Sequence, residues 1–317
     1  MSITKYYRGM TIAIRTSLMA QCRALDLSYS DLWREHKAVR RYRQLDPMPV
    51  AYESQVKDQL FAFDFCQIWI EQYAQLVLLA LAVLDNDVPT PRRRQVQATL
   101  TISFRIRSDL AAVRLLATNG LDVQAKQLAR AASENLDALS RAALDTDFCT
   151  AFVDEQDVDQ TSAVWFKYIA KSRARDFVYA RVESVIGSGT MNEQREHFKR
   201  EETVLSAAVH PSHISGMFSL LPHLGDDEED RQENAISANS VRTLEYCNHR
   251  VLEFMMYDLA VFSSVETFAS TIPEAFGKLE TNSLKKAAAR LREVGLALMG
   301  YLIRNQDAYV VRSRKVA

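Results

Sequence analysis

Glycine and proline are scarce in this sequence. Its 317 residues include 9 glycines and 7 prolines, 16 of 317 or about 5%, whereas an average protein carries roughly 12% of the two together. Sandwiches, barrels and propellers need these residues at their many tight turns. Between Pro91 and Pro211 there is no proline at all. The shortage therefore excludes the turn-rich β architectures and favours long helices with few connections.

Several chemical signatures are also missing. The four cysteines form no Cys-x-x-Cys motif, which predicts reduced, mostly buried thiols in a cytoplasmic protein. The longest apolar run, from Leu76 to Leu84, is nine residues, against roughly 20 needed to cross a bilayer, so we expect no membrane partner. The sequence has no phosphate-binding glycine loop, no nucleophile elbow and no His-Glu-x-x-His motif. No glutamate stands three residues before a histidine, which argues against a di-iron bundle. We therefore expect no cofactor and no metal.

Charge is balanced overall but uneven along the chain. The net charge of −1 gives no global attraction to nucleic acid or membrane. Residues 1–45 hold nine Lys and Arg against three Asp and Glu, a net of +6, and residues 226–230 form an acidic run. A solvated N-terminal face and a disordered loop explain this distribution. The alternative is a basic arm that binds nucleic acid or a partner protein, including the acidic loop of a partner chain.

Start and stop signals divide the chain into helices. Thr90 as a cap and Pro91 in the first turn predict a helix over 90–118, which Asn119-Gly120 ends. Asp122 as a cap predicts the next helix, over 122–144. The other predicted helices cover about 9–25, 31–44, 53–85, 147–153, 157–170, 173–186, 192–209, 240–270 and 283–305.

These helices predict an all-α fold, a large multi-helix bundle with long antiparallel helices and a helical N-terminal arm. The basic arm covers 1–46 and the bundle core 50–305. A flexible acidic loop at 211–236 interrupts the core, and a C-terminal tail covers 306–317.

The helix predicted over 122–144 carries two opposite stripes. One is apolar, and the other holds Arg130, Glu134, Asp137 and Arg141. The polar stripe is either a solvated face with weak ion pairs or the second packed side of a central helix. The alanines around it would allow close approach of a neighbouring helix.

Two arginines of the preceding helix project into its apolar arc. Arg107 and Arg114 each need a partner there, because a buried unpaired guanidinium is costly. Counting back from the turn between the two helices places Arg107 level with Glu134, and Asp109 near Arg130. We therefore hypothesise a partly buried network of these four residues, which either forms a site or only fixes the packing.

Ser206 and His210 lie one helical turn apart, just before Pro211. The residue before a proline leaves the α region, so the helix ends near His210, where the dipole favours an imidazolium. Such a cation can bind phosphate or act as a general acid, and the serine could serve as a nucleophile. The alternatives are a capping histidine and a packing serine. A metal site made by His210 with His213 lacks an obvious third ligand.

A further pattern appears in the helix predicted over 240–270. HEPN-type ribonucleases have an arginine followed, after four to six residues, by a histidine, and Arg242 and His249 have six residues between them. In a chain with this many arginines, chance alone is expected to supply such a match. The spacing by itself is therefore no evidence for the activity.

Three segments carry a resemblance to a known group. They read QAKQLARAASENLDALSRAALD, FCTAFVDEQDVDQTSAVWFKYIAK and EETVLSAAVHPS, and they resemble bacterial helical proteins with loose affinity to HEPN-like and abortive-infection proteins. Members have an Arg-x-x-x-Glu helix and a downstream Leu-Ser-x-x-x-His-Pro-Ser segment. The matching positions are Arg130, Glu134, Ser206, His210 and Ser212.

We therefore expect a HEPN-like protein that acts on or binds RNA or a nucleotide in bacterial defence or stress response, as a homodimer and as a metal-independent ribonuclease. The candidate catalytic residues are His210, Ser206 and Glu134, and the candidate phosphate-binding residues are Arg130 and Arg107. One alternative is a non-catalytic helical interaction or scaffold protein whose Arg, Glu and His layer is structural. A third reading is a small-molecule or nucleotide sensor that uses the same pocket.

Overall fold

The computed structural model describes residues 12–28, 54–82, 84, 89–119, 121–155, 157–187, 189, 191–209, 241–262 and 278–304. These residues are helical apart from short connections, and no strand occurs among them. In chain order the helices are α1 Ile12–Ala24, α2 Ser54–Ala82, α3 Thr90–Thr118, α4 Asp122–Leu144, α5 Thr146–Asp154, α6 Val158–Tyr168, α7 Arg173–Ile186, α8 Asn192–Val209, α9 Val241–Tyr257, a π-helical turn Asp258–Phe262, and α10 Lys278–Arg304. The prediction of an all-α multi-helix bundle is confirmed.

The helix boundaries agree closely with those predicted from the sequence, but two of the predicted capping residues do not occupy the capping position. Helices α3, α4, α7 and α8 begin and end at the predicted residues. Thr90, however, is the first residue of α3 and follows Pro89, which occupies the capping position. Asp122 is the first residue of α4 rather than its cap. Its carboxylate is engaged instead by the buried Lys126 and by the Thr243 hydroxyl of α9.

Several predicted segments fall outside the described residues. The basic arm at 1–46 is described only over 12–28, and the acidic loop at 211–236 and the tail at 306–317 not at all. The predicted helix over 31–44 lies outside them as well.

Aromatic side chains of α2 fill the centre of the bundle. The Trp69 and Tyr73 rings stack with centroids 5.4 Å apart, and Phe254 of α9 meets them edge-on at 5.8 and 5.5 Å. The Trp69 indole N–H donates to the Leu291 carbonyl in α10 at 3.2 Å, which compensates its burial. All four cysteines are buried and reduced, as predicted.

One segment of α2 has the length and apolarity of a membrane span. It covers Gln59–Ala82 and is mostly buried inside the bundle. It packs against α3, α9 and α10, as a core helix of a soluble protein does. A cytoplasmic location stays a prediction.

Helix α4 is packed on both sides. Its apolar stripe, with Ala125, Leu136 and Leu139, is buried, and on the opposite side Asp137 and Arg141 are buried too. It packs against α3 and α5 and also against α7, α8 and α9. The interpretation of α4 as a central helix is therefore confirmed. The polar side of α4 faces α7, α8 and α9. The side chains that could take part in binding or catalysis lie there.

Candidate functional site

Arg130 links α4 to α8. Its Nε donates to Glu134 Oε1 at 3.3 Å and its Nη1 to Ser206 Oγ at 2.9 Å. The side chains of Arg130 and Glu134 are 37% and 39% exposed, so a ligand can reach both. Three of the five predicted site residues thus lie together. The cluster offers a guanidinium whose donors could be redirected to a phosphate.

The structure does not place Arg107 in this cluster. Its Nε lies against Glu71 of α2, and Arg114 donates from Nη2 to Asp64 Oδ2, also on α2, at 3.0 Å. The expectation that each arginine needs a partner is confirmed, but the pairing of Arg107 with Glu134 is wrong. The side of α3 that carries both arginines faces α2 instead of α4. With its charge matched and its side chain only 12% exposed, Arg107 is poorly placed to bind phosphate.

Asp109 also has a different partner from the one expected. Asn135 Nδ2 donates to Asp109 Oδ2 at 2.8 Å, and Arg105 Nε donates to Oδ1 at 3.3 Å. Asp109 therefore lies level with Asn135 and not with Arg130. The partner of Asp109 on α4 is therefore five residues further along that helix than the expected one.

His210 and Ser212 lie outside the described residues, as does His213. Their proposed roles stay predictions.

A closed charge network joins α4, α7, α8 and α9. Arg250 of α9, 3% exposed, donates from Nε to Ser133 Oγ at 2.9 Å and contacts the carboxylates of Asp137 and Glu253. Arg175 of α7 donates from Nη2 to the other oxygen of Asp137 at 2.7 Å and also pairs with Glu202 of α8. One aspartate of the central helix thus binds two arginines from two other helices.

Tyrosines complete this network. The hydroxyls of Tyr179 and Tyr257 both donate to Glu253 Oε1, at 2.7 and 2.9 Å. The Tyr246 hydroxyl lies 2.7 Å from Ser133 Oγ. Burial raises the pKa of Tyr179 to about 12, so this phenol stays a hydrogen-bond donor at neutral pH. Because Glu253 receives these donors together with Arg250, its burial is compensated.

The network is satisfied internally, and apart from Glu202, which is 26% exposed, its side chains are buried. This is typical of a polar layer that specifies packing. The sequence analysis missed Arg175, Arg250 and Glu253, whose partners lie on helices distant in the chain. Two signals pointed toward them: Asp137 in the polar stripe of α4, and the three-residue spacing of Arg250 and Glu253 on α9.

A second cluster, which we call the histidine seam, lies between α8 and α9. It consists of His197 and Glu201 on α8 with Arg242, Glu245 and His249 on α9. The ring centroids of the two histidines are 6.0 Å apart. Arg242 binds Glu201 through two contacts, Nη2–Oε1 at 2.8 Å and Nε–Oε2 at 3.2 Å. Arg242 and His249, which the sequence paired only by spacing, thus both face α8.

Burial shifts two groups of the seam in opposite directions. Together with the neighbouring His197, it lowers the pKa of His249 to about 4, so this imidazole is neutral at pH 7. Burial, with a further contribution from Glu201, raises the pKa of Glu245 to about 7. Both side chains remain partly exposed. Among the hydrogen bonds of the described residues, none involves the ring of His197 or of His249.

The Arg130 cluster and the histidine seam lie on opposite sides of α8. Ser206 and Glu202 point toward α4 and α7, where they meet Arg130 and Arg175. His197 and Glu201 occupy the other flank, toward α9. Helix α8 thus separates the half-exposed Arg130 cluster from the histidine seam.

Comparison with known proteins gives no relative for this chain. No protein-family model matches it, and neither a curated protein nor a solved structure does.

Proposed function

We propose that the protein acts on or binds RNA or a nucleotide, as a HEPN-like helical protein of bacterial defence or stress response, and that the histidine seam is its site. The supporting observation is the pair of half-buried imidazoles, 6.0 Å apart, beside an arginine. In the Arg250 network every charge meets a partner. The histidine rings instead make no hydrogen bond within the described part of the chain, which leaves their nitrogens available to a ligand.

The seam has the groups that metal-independent RNA cleavage requires. In this proposal neutral His249 accepts the proton of a ribose 2′-hydroxyl, whose oxygen forms a bond to the adjacent phosphorus. The bond between phosphorus and the 5′-oxygen breaks, and protonated Glu245 donates its proton to that leaving oxygen. The products are a 2′,3′-cyclic phosphate end and a 5′-hydroxyl end. Arg242 exchanges Glu201 for the phosphate and stabilises its negative charge.

The Arg130 cluster then serves as a second contact for the nucleic-acid backbone. Arg130 is already held by Ser206 and Glu134 in a half-exposed position. A phosphate would replace Glu134, whose exposed pairing with Arg130 is weak. His210 follows α8 directly in the chain and stays a candidate for the catalytic acid at that end.

The test is cleavage of a single-stranded RNA carrying a fluorophore and a quencher. We expect His249→Ala to lower the rate by about 100-fold or more, the usual contribution of a general acid or base. Leu252→Ala is the matched control, because it truncates another half-buried side chain of α9. Equal cleavage rates for wild type and His249→Ala would exclude the histidine seam as the catalytic site. If His210→Ala lowers the cleavage rate and His249→Ala does not, the catalytic site lies in the segment after α8.

A second candidate is a non-catalytic interaction protein. It is supported by the Arg250 network, in which seven buried polar side chains of α4, α7 and α9 are hydrogen-bonded to one another. This function predicts that wild-type protein neither cleaves RNA nor retards it in a native gel. Retardation or cleavage by the wild type would refute it.

A further inference from the structure

Three side chains of the histidine seam lack a hydrogen-bond partner. Within the described part of the chain, no hydrogen bond involves the rings of His197 and His249 or the carboxylate of Glu245. All three side chains are only partly exposed to solvent. A shielded polar group without a partner calls for an explanation, and a bound ion is one of them. The proposed cleavage gives roles to His249 and Glu245 but none to His197.

The two imidazoles stand at a separation that a single metal ion can bridge. A zinc–nitrogen bond is about 2.0–2.1 Å long, so the centroid of a ligating imidazole lies about 3 Å from the ion. Two rings on one ion therefore have centroids about 5–6.5 Å apart, from a tetrahedral angle to ligands on opposite sides. The rings of His197 and His249 are 6.0 Å apart and tilted by 56°. The separation of α8 and α9 therefore suits two imidazole ligands of the same ion.

A third ligand is within reach on α9. Glu245 precedes His249 by four residues, so the two lie on one face of the helix. Among the described residues, no three ligand side chains already surround one point. Coordination therefore needs a rotation of the Glu245 side chain toward the two rings. This rotation breaks no hydrogen bond, because the carboxylate makes none with a described residue.

The charges of the seam favour a divalent cation. Two carboxylates, Glu201 and Glu245, lie close enough to repel each other, and one guanidinium, that of Arg242, is near both. Arg242 binds Glu201 through two contacts, so Glu245 is the carboxylate available to an ion. Imidazole nitrogens with a carboxylate oxygen are a ligand set of zinc, whereas Mg²⁺ and Ca²⁺ take oxygen ligands.

We propose that the histidine seam binds one zinc ion through His197, His249 and Glu245, with water as the fourth ligand. The motifs whose absence argued against a metal place their ligands in one short segment, whereas these three lie on α8 and α9. Bound zinc occupies the two groups that the proposed cleavage uses as base and acid. Zinc is therefore an inhibitor of that cleavage, and this consequence rests on the proposed function.

The first test is a titration of the metal-free full chain with Zn²⁺ in competition with a coloured chelator. We expect His197→Ala, His249→Ala and Glu245→Gln each to weaken binding by about 10-fold or more, because even an outer-shell contact contributes about 10–100-fold. Leu252→Ala, on the same helix, is the matched control and should bind zinc as the wild type does. No zinc binding by the wild type, or unchanged affinity in both histidine variants, would overturn the proposal.

Histidines outside the seam provide a second control. His213 follows α8 in the chain, and His213→Ala should leave the zinc affinity unchanged. The four cysteines are buried and should not compete for the ion. If His213→Ala abolishes zinc binding while His249→Ala retains it, the ion binds elsewhere and the proposal is wrong. Co²⁺ in place of zinc gives an independent readout, since its visible absorption should appear in the wild type and be lost in His249→Ala.

Inhibition is measured separately from binding. Zn²⁺ should stop cleavage of the fluorescent RNA at the concentrations that fill the site, a chelator should restore it, and Mg²⁺ should leave it unchanged. Cleavage that continues at saturating zinc would overturn the inhibition. If the wild type does not cleave RNA at all, the proposed function fails, and the zinc titration by itself still decides whether the metal site exists.

Discussion

Removing the guanidinium of Arg250 should destabilise the fold more than any other single loss of charge on α9. Arg250→Met keeps most of the side-chain length but deletes the hydrogen bond to Ser133 and the contacts with Asp137 and Glu253. Both carboxylates then stay buried with fewer donors. Breaking a buried ion pair by removing one partner costs about 3–5 kcal/mol.

The surviving contacts place the loss near the lower end of this range. Asp137 keeps Arg175, and Glu253 keeps the hydroxyls of Tyr179 and Tyr257. A chain of 317 residues has an unfolding entropy of about 0.7 kcal/mol/K, at about 2.1 cal/mol/K per residue. A loss of about 3 kcal/mol therefore lowers the midpoint temperature by about 4 °C. Circular dichroism at the helical minimum during heating measures this shift.

Arg242→Met is the control for burial. Arg242 lies on the same helix and also pairs with a glutamate, but its side chain is 50% exposed. An exposed pair contributes less than about 1 kcal/mol, so the midpoint should fall by no more than about 1–2 °C. Equal shifts for the two variants would refute the conclusion that the Arg250 network holds the four helices together.

Four further outcomes follow from the site and the core. Arg130→Gln should change stability by less than about 1 kcal/mol but weaken RNA binding, as measured by fluorescence anisotropy. Because the pKa of Glu245 is raised from 4.5 to about 7, wild-type stability should fall as pH rises through this interval, and Glu245→Gln should abolish the fall. The pKa of His249 is lowered from 6.5 to about 4, so stability should fall as pH drops through that interval, and His249→Ala should remove this loss; midpoint temperatures across pH measure both. The four buried thiols should react with a colorimetric thiol reagent only after unfolding, and fast reaction in buffer would contradict the packing.

Local signals allowed the prediction of most helix boundaries but not of the contacts between helices. Pro91 and the Asn119-Gly120 pair define the ends of α3 because they act within one turn of the chain. The partner of Arg107 depends instead on which helix faces α3 on that side, and this is decided by the packing of the whole core. The seven-residue spacing of Asp64 and Glu71 on α2 matches that of Arg107 and Arg114 on α3. It is a usable signal for two antiparallel helices in register.

The candidate functional residues were harder to predict for the same reason. Arg130 and Glu134 are neighbours on one helix, so their pairing follows from periodicity. The histidine seam unites α8 and α9, which the 31 residues from 210 to 240 separate in the chain. The sequence therefore paired Arg242 with His249 only by a spacing that chance can supply, and it linked neither of them to α8. Only the folded arrangement shows that Arg242, His249 and His197 lie together.

The Arg250 network and the histidine seam both include residues of α9, but they differ in exposure to solvent. We therefore expect them to have different roles. Arg250 and Glu253 face α4 and α7, and side chains of these helices and of α9 itself provide their hydrogen-bond partners. His249 lies on the adjacent side of the same helix, where α8 meets it through side chains and solvent still reaches the seam. A substitution in the first cluster should therefore change stability at every pH. A substitution of His249 should change the pH dependence and the activity while leaving the fold intact, because its ring makes no hydrogen bond to another described residue that would be lost.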